Sequence, residues 1–322
     1  MSKMKTTTMR NISKNWILNF NEIMKTLKKP IPLYSNDKIF NPDEYLYMLK
    51  YDGQLCYINV EDDKFSYRER KYIRCEKIDK SLVLKNICLH VSKPFSLMCE
   101  KVKLAKHSIF IIIAILHDFN DTFEKTSNVL NNLLVTEDSM FKVAKSLPLN
   151  NEGVSNVESL KIKNTSIDGY IFFPKNKKFI RNADFQINPI FKLKFIDTID
   201  VFIGPGGNVY YNALKKDINL EYDFIIDNDN TSVRKMCNTA MLKVSPERLK
   251  LYENKIVECF LSTETYENMW GTSQYLIPYR IRYDKTIYEA NFEKVFFDFI
   301  NKTTLTVREF NLKYNFNFPD AM

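Results

Sequence analysis

The sequence Tyr47-Met48-Leu49-Lys50-Tyr51-Asp52-Gly53-Gln54-Leu55-Cys56-Tyr57-Ile58 is the stretch on which the fold prediction rests. An apolar segment of strand character enters the turn Lys50-Tyr51-Asp52-Gly53, and a second, alternating strand leaves it. The turn brings an amine, a carboxylate and a glycine to one point. A lysine amine attacks only when it is neutral, so a covalent role for Lys50 requires nearby cations or exclusion of water. The alternative is an ordinary turn, but the chain has only seven glycines and one lies here.

The composition is that of a globular protein that handles anions. With 322 residues, 45% of them hydrophobic, the chain is long enough for two domains with separate cores. A net charge of +8 suits a protein that binds nucleic acids, nucleotides or acidic partners, and equally a basic solvated surface. Six cysteines without a C-x-x-C pair and three scattered histidines argue against structural zinc or a disulfide framework.

The chain shows no secretory signal and no membrane-spanning run. Its longest apolar run, Ile109 to Leu116, is too short to cross a bilayer. We therefore expect a cytoplasmic protein that does not contact membranes.

Three later strand patterns carry paired cations on one face, because residues two apart in a strand point the same way. The pairs are Arg68 with Arg70, Lys192 with Lys194, and Arg280 with Arg282, the last followed on the same side by Asp284. Facing inward, such pairs bind phosphates, whereas facing outward they form an ordinary charged edge.

Two acids stand beside apolar strands in the first half of the chain. Glu100 lies at the polar end of the strand pattern Phe95 to Val102, where an unpaired carboxylate would be costly. Asp168 and Gly169 form a second acid-glycine pair that leads into the apolar run Tyr170 to Pro174. Glu100 therefore needs a cation or a metal ion as a partner.

The organisation changes near residue 196. Before it, we predict an N-terminal helix through Trp16 and Leu27, a central buried strand over Ser108 to Leu116 and one helix within 120–150. After it, short strands alternate with turns rich in glycine and asparagine, which predicts a small antiparallel barrel followed by a helix through Phe292 and Phe299.

In this order the stretches resemble the motifs of the covalent nucleotidyltransferase superfamily, which contains mRNA capping guanylyltransferases and ATP-dependent DNA and RNA ligases. Asp197-Thr198-Ile199-Asp200-Val201 and Arg280-Ile281-Arg282-Tyr283-Asp284-Lys285 are more similar to the capping branch. The resemblance implies an α+β fold: a nucleotidyltransferase domain with antiparallel sheets over 1–195, then an OB-fold β-barrel lid with a C-terminal helix over 196–322.

The activity implied by the resemblance is mRNA guanylyltransferase. Lys50 would attack the α-phosphorus of GTP, expel pyrophosphate and pass GMP to the 5′-diphosphate end of RNA. Lys192 and Lys194 would neutralise the α-phosphate, and Glu100 and Asp168 would hold Mg²⁺ or Mn²⁺, or the ribose. Arg280, Asp284 and Lys285 would orient the β- and γ-phosphates, and the nucleotide site would also include Asp52, Gly53, Gly169 and Arg282.

The chain departs from the family pattern in three places. Leu55 replaces an arginine, so ribose contact must come from elsewhere, with Arg68 or Arg70 as candidates. The residue that stacks on the base would be Ile113, or Phe110 in another register. Met98-Cys99 stands where Asp-Gly is usual. The alternatives are therefore an ATP-dependent DNA or RNA ligase and a catalytically decayed RNA-binding subunit.

Cap formation also implies partners. The segments flanking the motifs are too short for an RNA triphosphatase or a cap methyltransferase, so we expect other subunits or domains to supply them, with RNA polymerase as a further partner. Compact guanylyltransferases of large DNA viruses or cytoplasmic plasmids are similar in this respect, which places the protein in the host cytoplasm or the virion.

Overall fold

The computed structural model describes residues 30–35, 40–69, 72–78, 81–104, 107–116, 122–133, 140–176, 189–214, 224–226, 232–269, 271–301 and 304–320. The predicted N-terminal helix through Trp16 and Leu27 lies outside these residues. The chain divides into two compact units. The first comprises residues 1–33, 37–195 and 307–322, and the second comprises 34–36 and 196–306. Among the described helices, none is long and apolar enough to cross a membrane.

The described elements are mostly strands, with a few short helices. The strands of the first unit are β1 (Ile31–Pro32), β2 (Tyr45–Tyr51), β3 (Gln54–Glu61), β4 (Lys64–Glu69), β5 (Tyr72–Lys77), β6 (Phe95–Lys103), β7 (Ser108–Leu116), β8 (Phe141–Val143), β9 (Leu147–Pro148), β10 (Ile167–Pro174) and β11 (Phe191–Lys194). Those of the second unit are β12 (Ile199–Ile203), β13 (Val209–Leu214), β14 (Phe224–Ile226), β15 (Ser232–Met236), β16 (Ala240–Leu242), β17 (Lys255–Asn268) and β18 (Gly271–Ile281). The helices are α1 (Leu82–His90), α2 (Phe123–Asn131), α3 (Asn151–Ser155), α4 (Pro246–Tyr252), α5 (Glu293–Ile300) and α6 (Val307–Tyr314).

The first unit contains two largely antiparallel sheets. One has the order β1-β11-β10-β2-β9 and the other the order β5-β4-β3-β6-β7-β8. β7 is buried as its apolar run predicts, from Ile109 to Leu116, but it lies beside the edge strand β8 rather than at the centre of the sheet. The helix predicted within 120–150 is α2, whose N-cap Thr122 accepts a hydrogen bond from the Lys125 backbone.

The described strands of the second unit form one sheet. Its strand order is β14-β15-β13-β12-β17-β18-β16. β15 and β16 lie toward opposite ends of this order but are consecutive in the chain, and β16 pairs in parallel with β18. β16 also contacts β13, the neighbour of β15, so the two ends of the sheet approach each other as in an OB-fold barrel. The predicted α+β fold with an OB-fold barrel is confirmed.

The end of the chain packs in the first unit. We expected residues 196–322 to form the second domain with a polar tail, but residues 307–322 group with the first unit and contain α6. The ring of Phe310 lies 5.2 Å from that of Phe172, and the ring of Phe318 lies 5.0 Å from that of Tyr47. Both phenylalanines are buried, because together they cover an aromatic face of the five-stranded sheet.

Candidate active site

Lys50 lies in one cross-strand row with Gly169 and Lys194. It is paired with Gly169 in the antiparallel β2–β10 ladder, and Gly169 is paired with Lys194 in β10–β11. Directly paired residues project to the same face of a sheet. Lys192, paired with Ile171, occupies the next row on that face. Lys50 therefore lies on the same face of the sheet as Lys192 and Lys194, the two lysines that the sequence predicts to share a face.

Asp168 is the extra residue of a β-bulge. The β2–β10 register passes from Ile167 opposite Tyr51 to Gly169 opposite Lys50, which leaves Asp168 without a partner in the ladder. A bulge turns such a residue away from its regular direction. Here the Asp168 carboxylate accepts a hydrogen bond from the Lys50 amine and forms an ion pair with it.

Gly169 allows the three strands to meet closely at this point. Its φ is 143°, a conformation that residues with a side chain rarely adopt. A Cβ at this position would lie 2.0 Å from the Leu193 carbonyl oxygen and 2.8 Å from the Lys194 Cα. The glycine is therefore required for the spacing between Lys50 and Lys194.

Gly53 lets Glu100 approach the turn that follows Lys50. β2 and β3 belong to different sheets, so Asp52 and Gly53 link the two sheets. A Cβ on Gly53 would lie 2.6 Å from the Lys101 carbonyl oxygen and 3.0 Å from the Glu100 Cγ. Glu100 itself is paired with Leu55 in the β3–β6 ladder. The turn and the acid predicted separately from sequence thus form one site.

The charges of this site act on one another. The pKa of Glu100 is raised to about 7, chiefly by burial; Lys50 lowers this pKa, and Asp52 and Asp168 raise it. The dominant cause is loss of water around the carboxyl group, which disfavours the charged form. A cation bound beside Glu100 would favour its ionised form.

Glu100 and Asp168 are the two carboxylates that could hold a divalent ion. Among the described residues, no group of three or more His, Cys, Asp or Glu side chains could hold a metal ion. Mg²⁺ is usually bound through one or two carboxylates, with waters and substrate phosphates completing its shell. The two acids fit an ion of this kind that binds together with a nucleotide, and the ion would neutralise developing phosphate charge.

The residues proposed to contact the ribose and the base are less clearly placed. Arg68 lies in β4, but its side chain and the whole of Arg70 fall outside the described residues. Ile113 is buried in β7 and is skipped where the β6–β7 register passes from Ala114 to Ile112. Phe110, the alternative, packs 4.8 Å from the ring of Tyr67 in the core of the six-stranded sheet. Its ring is thus part of the core rather than a platform for a base.

The second unit carries a row of charges across three strands. Asp200 is paired with Glu258 in β12–β17, and Glu258 is paired with Arg280 in β17–β18. Alternate residues such as Val257 pack in the barrel core, so the charged row lies on the outer face. Glu258 accepts hydrogen bonds from Arg280 Nε at 2.5 Å and from the Thr198 hydroxyl at 2.6 Å.

Arg282 connects this row to the turn after β18. Its Nη1 donates to both carboxylate oxygens of Asp200 at 3.0 Å. Its Nε and Nη2 donate to Asp284 at 2.9 and 2.8 Å, which lowers the pKa of Asp284 and raises that of Arg282. Lys285 donates to Asp200 at 2.5 Å. The predicted residues Arg280, Arg282, Asp284 and Lys285 therefore form one cluster.

Sequence reasoning missed the two buried acids of this cluster. Asp200 enters the sequence analysis only as part of a motif resemblance, and Glu258 does not enter it. The signal that singled out Glu100, a lone acid inside an apolar strand, is present again in Ile256-Val257-Glu258-Cys259-Phe260. The same pattern therefore predicts a cation partner for Glu258.

No protein-family model and no curated protein matches the chain. Several solved structures do. Mycobacterial DNA ligase D complexed with ATP and MES matches at 13% identity and a TM-score of 0.41, over 83% of this chain and 98% of that one. The ligase domain of M. tuberculosis LigD matches at 11% and 0.37, over 83% and 98%. A minimal Lig E DNA ligase matches at 13% and 0.34, over 80% and 100%.

Proposed function

We propose that the chain is a covalent nucleotidyltransferase that transfers GMP from GTP, through Lys50, to the 5′-diphosphate end of RNA. The proposal rests on the groups that surround the Lys50 amine. Lys50 is held by Asp168, lies near Glu100, and shares a sheet face with Lys192 and Lys194. Such a convergence of acids and cations suits attack on a phosphate.

The first step joins the Lys50 amine to the α-phosphorus of GTP. A P–N bond forms, the bond from the α-phosphorus to the bridging oxygen breaks, and pyrophosphate leaves with the electron pair. The amine attacks only in its neutral form, so it must give up a proton and its ion pair with Asp168 before the step. A divalent ion bound to Asp168 and Glu100 would draw the carboxylate away from Lys50, and neighbouring cations would favour the neutral amine.

The second step regenerates the lysine. A terminal oxygen of the RNA diphosphate attacks the phosphorus, the P–N bond breaks, and Lys50 takes up a proton. Lys192 and Lys194 would stabilise the negative charge that builds on the phosphoryl oxygens in both steps. Arg280, Arg282 and Lys285 would bind the phosphates that depart as pyrophosphate.

An ATP-dependent DNA or RNA ligase is the second candidate, because it would use the same lysine with a different base. The observation that favours it is Ile113, an aliphatic residue where the capping resemblance expects an aromatic ring for guanine. Without that ring, selection of guanine over adenine has no stacking platform at this position.

The deciding experiment incubates the full chain with α-³²P-labelled GTP or ATP and Mg²⁺ or Mn²⁺, and detects label that survives denaturation. We expect a GMP adduct that is stable to base, labile to acid and absent from Lys50→Met. Lys64→Met, which removes an exposed lysine of β4, is the matched control and should label normally. Labelling by ATP alone would identify a ligase, and no labelling by either nucleotide would indicate a non-catalytic subunit.

A further inference from the structure

We propose that Asp284 is an internal competitor for the anion-binding fork of Arg282, while the buried Asp200 and Glu258 are positioning residues that hold the cations in place. This inference rests on the proposed role of the Arg280, Arg282 and Lys285 cluster in binding the phosphates of the nucleotide. Competition by Asp284 limits how tightly the cluster binds these phosphates.

The three acids of the cluster differ in how well they are buried. The side chain of Asp200 is 12% exposed and that of Glu258 is 7% exposed, whereas that of Asp284 is 61% exposed. Removing a buried partner from a cation would leave an uncompensated charge away from water, which is costly. Asp284 can instead move into solvent. It is therefore the acid of this cluster that an incoming anion can displace.

The N–H groups of Arg282 donate to two acids, the buried Asp200, which stays in place, and the exposed Asp284, which an anion can replace. Nη1 is held by both oxygens of Asp200, and Nε with Nη2 forms a two-point contact with Asp284. This parallel two-point geometry suits a carboxylate and a phosphate equally well. A phosphate that arrives at Arg282 can take over the Nε and Nη2 donors without moving the guanidinium.

The other cations stay in place during such an exchange. Lys285 is held by Asp200 at 2.5 Å, and Arg280 is held by Glu258 at 2.5 Å. Glu258 is fixed in turn by the Thr198 hydroxyl at 2.6 Å. Three cations thus remain oriented while one exposed carboxylate leaves, and the same carboxylate returns when the phosphate departs. Its return speeds the release of pyrophosphate.

The size of the effect follows from the exposure of Asp284. Exposed ion pairs are weak, so competition by Asp284 should weaken anion binding by roughly two- to fivefold. Asp284→Asn removes the carboxylate charge while keeping nearly the same shape, and we expect it to tighten binding by that factor. A gain in affinity cannot result from misfolding, so the variant reports on competition rather than on structural damage.

The experiment measures binding of inorganic tripolyphosphate to the full chain by isothermal titration calorimetry. The variants are Asp284→Asn, Arg282→Lys, the double variant and Glu247→Gln. Glu247 is an exposed acid in the same unit and controls for removal of one negative charge. Arg282→Lys keeps a cation but loses the two-point geometry. We expect the gain from Asp284→Asn in the wild-type background only, and no gain from Glu247→Gln.

The proposal would be overturned if Asp284→Asn bound tripolyphosphate no more tightly than wild type, or if no variant bound it. It would also be overturned if Glu247→Gln raised the affinity equally, or if Asp284→Asn raised it equally in the Arg282→Lys background. Melting temperatures establish that the Arg282→Lys proteins are folded. Tripolyphosphate carries no nucleoside, so the result is independent of adduct formation at Lys50, and labelling by GTP or ATP decides the proposed function separately.

Discussion

Replacing Glu100 by glutamine should make the protein more stable at pH 8 and should stabilise it much less at pH 5. Burial beside Asp52 and Asp168 raises the pKa of Glu100 from the ordinary 4.5 to about 7, despite the opposing effect of Lys50. The folded chain therefore binds the Glu100 proton more tightly than the unfolded chain does. Stability must fall as the pH rises from 4.5 towards 7, and it stays low above that range.

The magnitude follows from the two pKa values. Moving a pKa from 4.5 to about 7 corresponds to about 3 kcal/mol of stability lost by pH 8. Glutamine resembles the protonated acid in shape and charge, so Glu100→Gln avoids this cost. For a unit of this size the gain corresponds to a rise in melting temperature of about 6–12 °C at pH 8.

Thermal unfolding followed by far-ultraviolet circular dichroism at pH 5 and pH 8 measures the effect. The matched control is Glu152→Gln, which neutralises an exposed acid of α3 in the same unit and should change the melting temperature little at either pH. A Glu100→Gln protein no more stable than wild type at pH 8 would refute the reasoning, as would an equal gain at pH 5. The same variant should lose its nucleotide adduct, because the proposed ion loses one of its two carboxylates.

Two further predictions concern the backbone and the rear face of the Lys50 sheet. Gly169→Ala should cost about 1–3 kcal/mol of stability and abolish the adduct, because its Cβ would clash with the Leu193 carbonyl at 2.0 Å. The control is Gly206→Ala, where a Cβ meets nothing within 4 Å, and this variant should form the adduct normally. Phe310→Ala should lower the free energy of unfolding by about 3–5 kcal/mol in urea titrations, because it leaves a cavity against Phe172. Leu312→Ala, at an exposed position of the same helix, should change it by less than about 0.5 kcal/mol.

The sequence predicts local patterns of this protein well and distant pairings poorly. The parity of Lys192 and Lys194 predicts their common face, and the apolar run of Ser108 to Leu116 predicts a buried strand, because both depend only on neighbours in the chain. The glycine of the Lys50 turn was recognised as significant from its scarcity. What it contacts, the backbone around Glu100 in another strand, depends on register and could not be derived.

The candidate site shows the same limit. The row of Lys50, Gly169 and Lys194 requires the pairing of three strands that lie far apart in the sequence. The bulge that directs Asp168 to Lys50 is a mismatch between two strands, and neither strand reveals it alone. The resemblance to known motifs predicts that these residues belong to one site, which strand periodicity alone does not. It did not supply Glu258, which lies outside the quoted motifs.

The aromatic cover of the Lys50 sheet has a consequence for synthesis of the chain. Tyr47 and Phe172 emerge from the ribosome early, whereas Phe310 and Phe318 follow only after the whole barrel has been translated. At about 5–20 residues per second, the roughly 120 residues after β11 take about 6–25 s. During that interval a sheet face rich in tyrosine and phenylalanine has no covering helix, so nascent chains should depend on chaperones that bind aromatic surfaces.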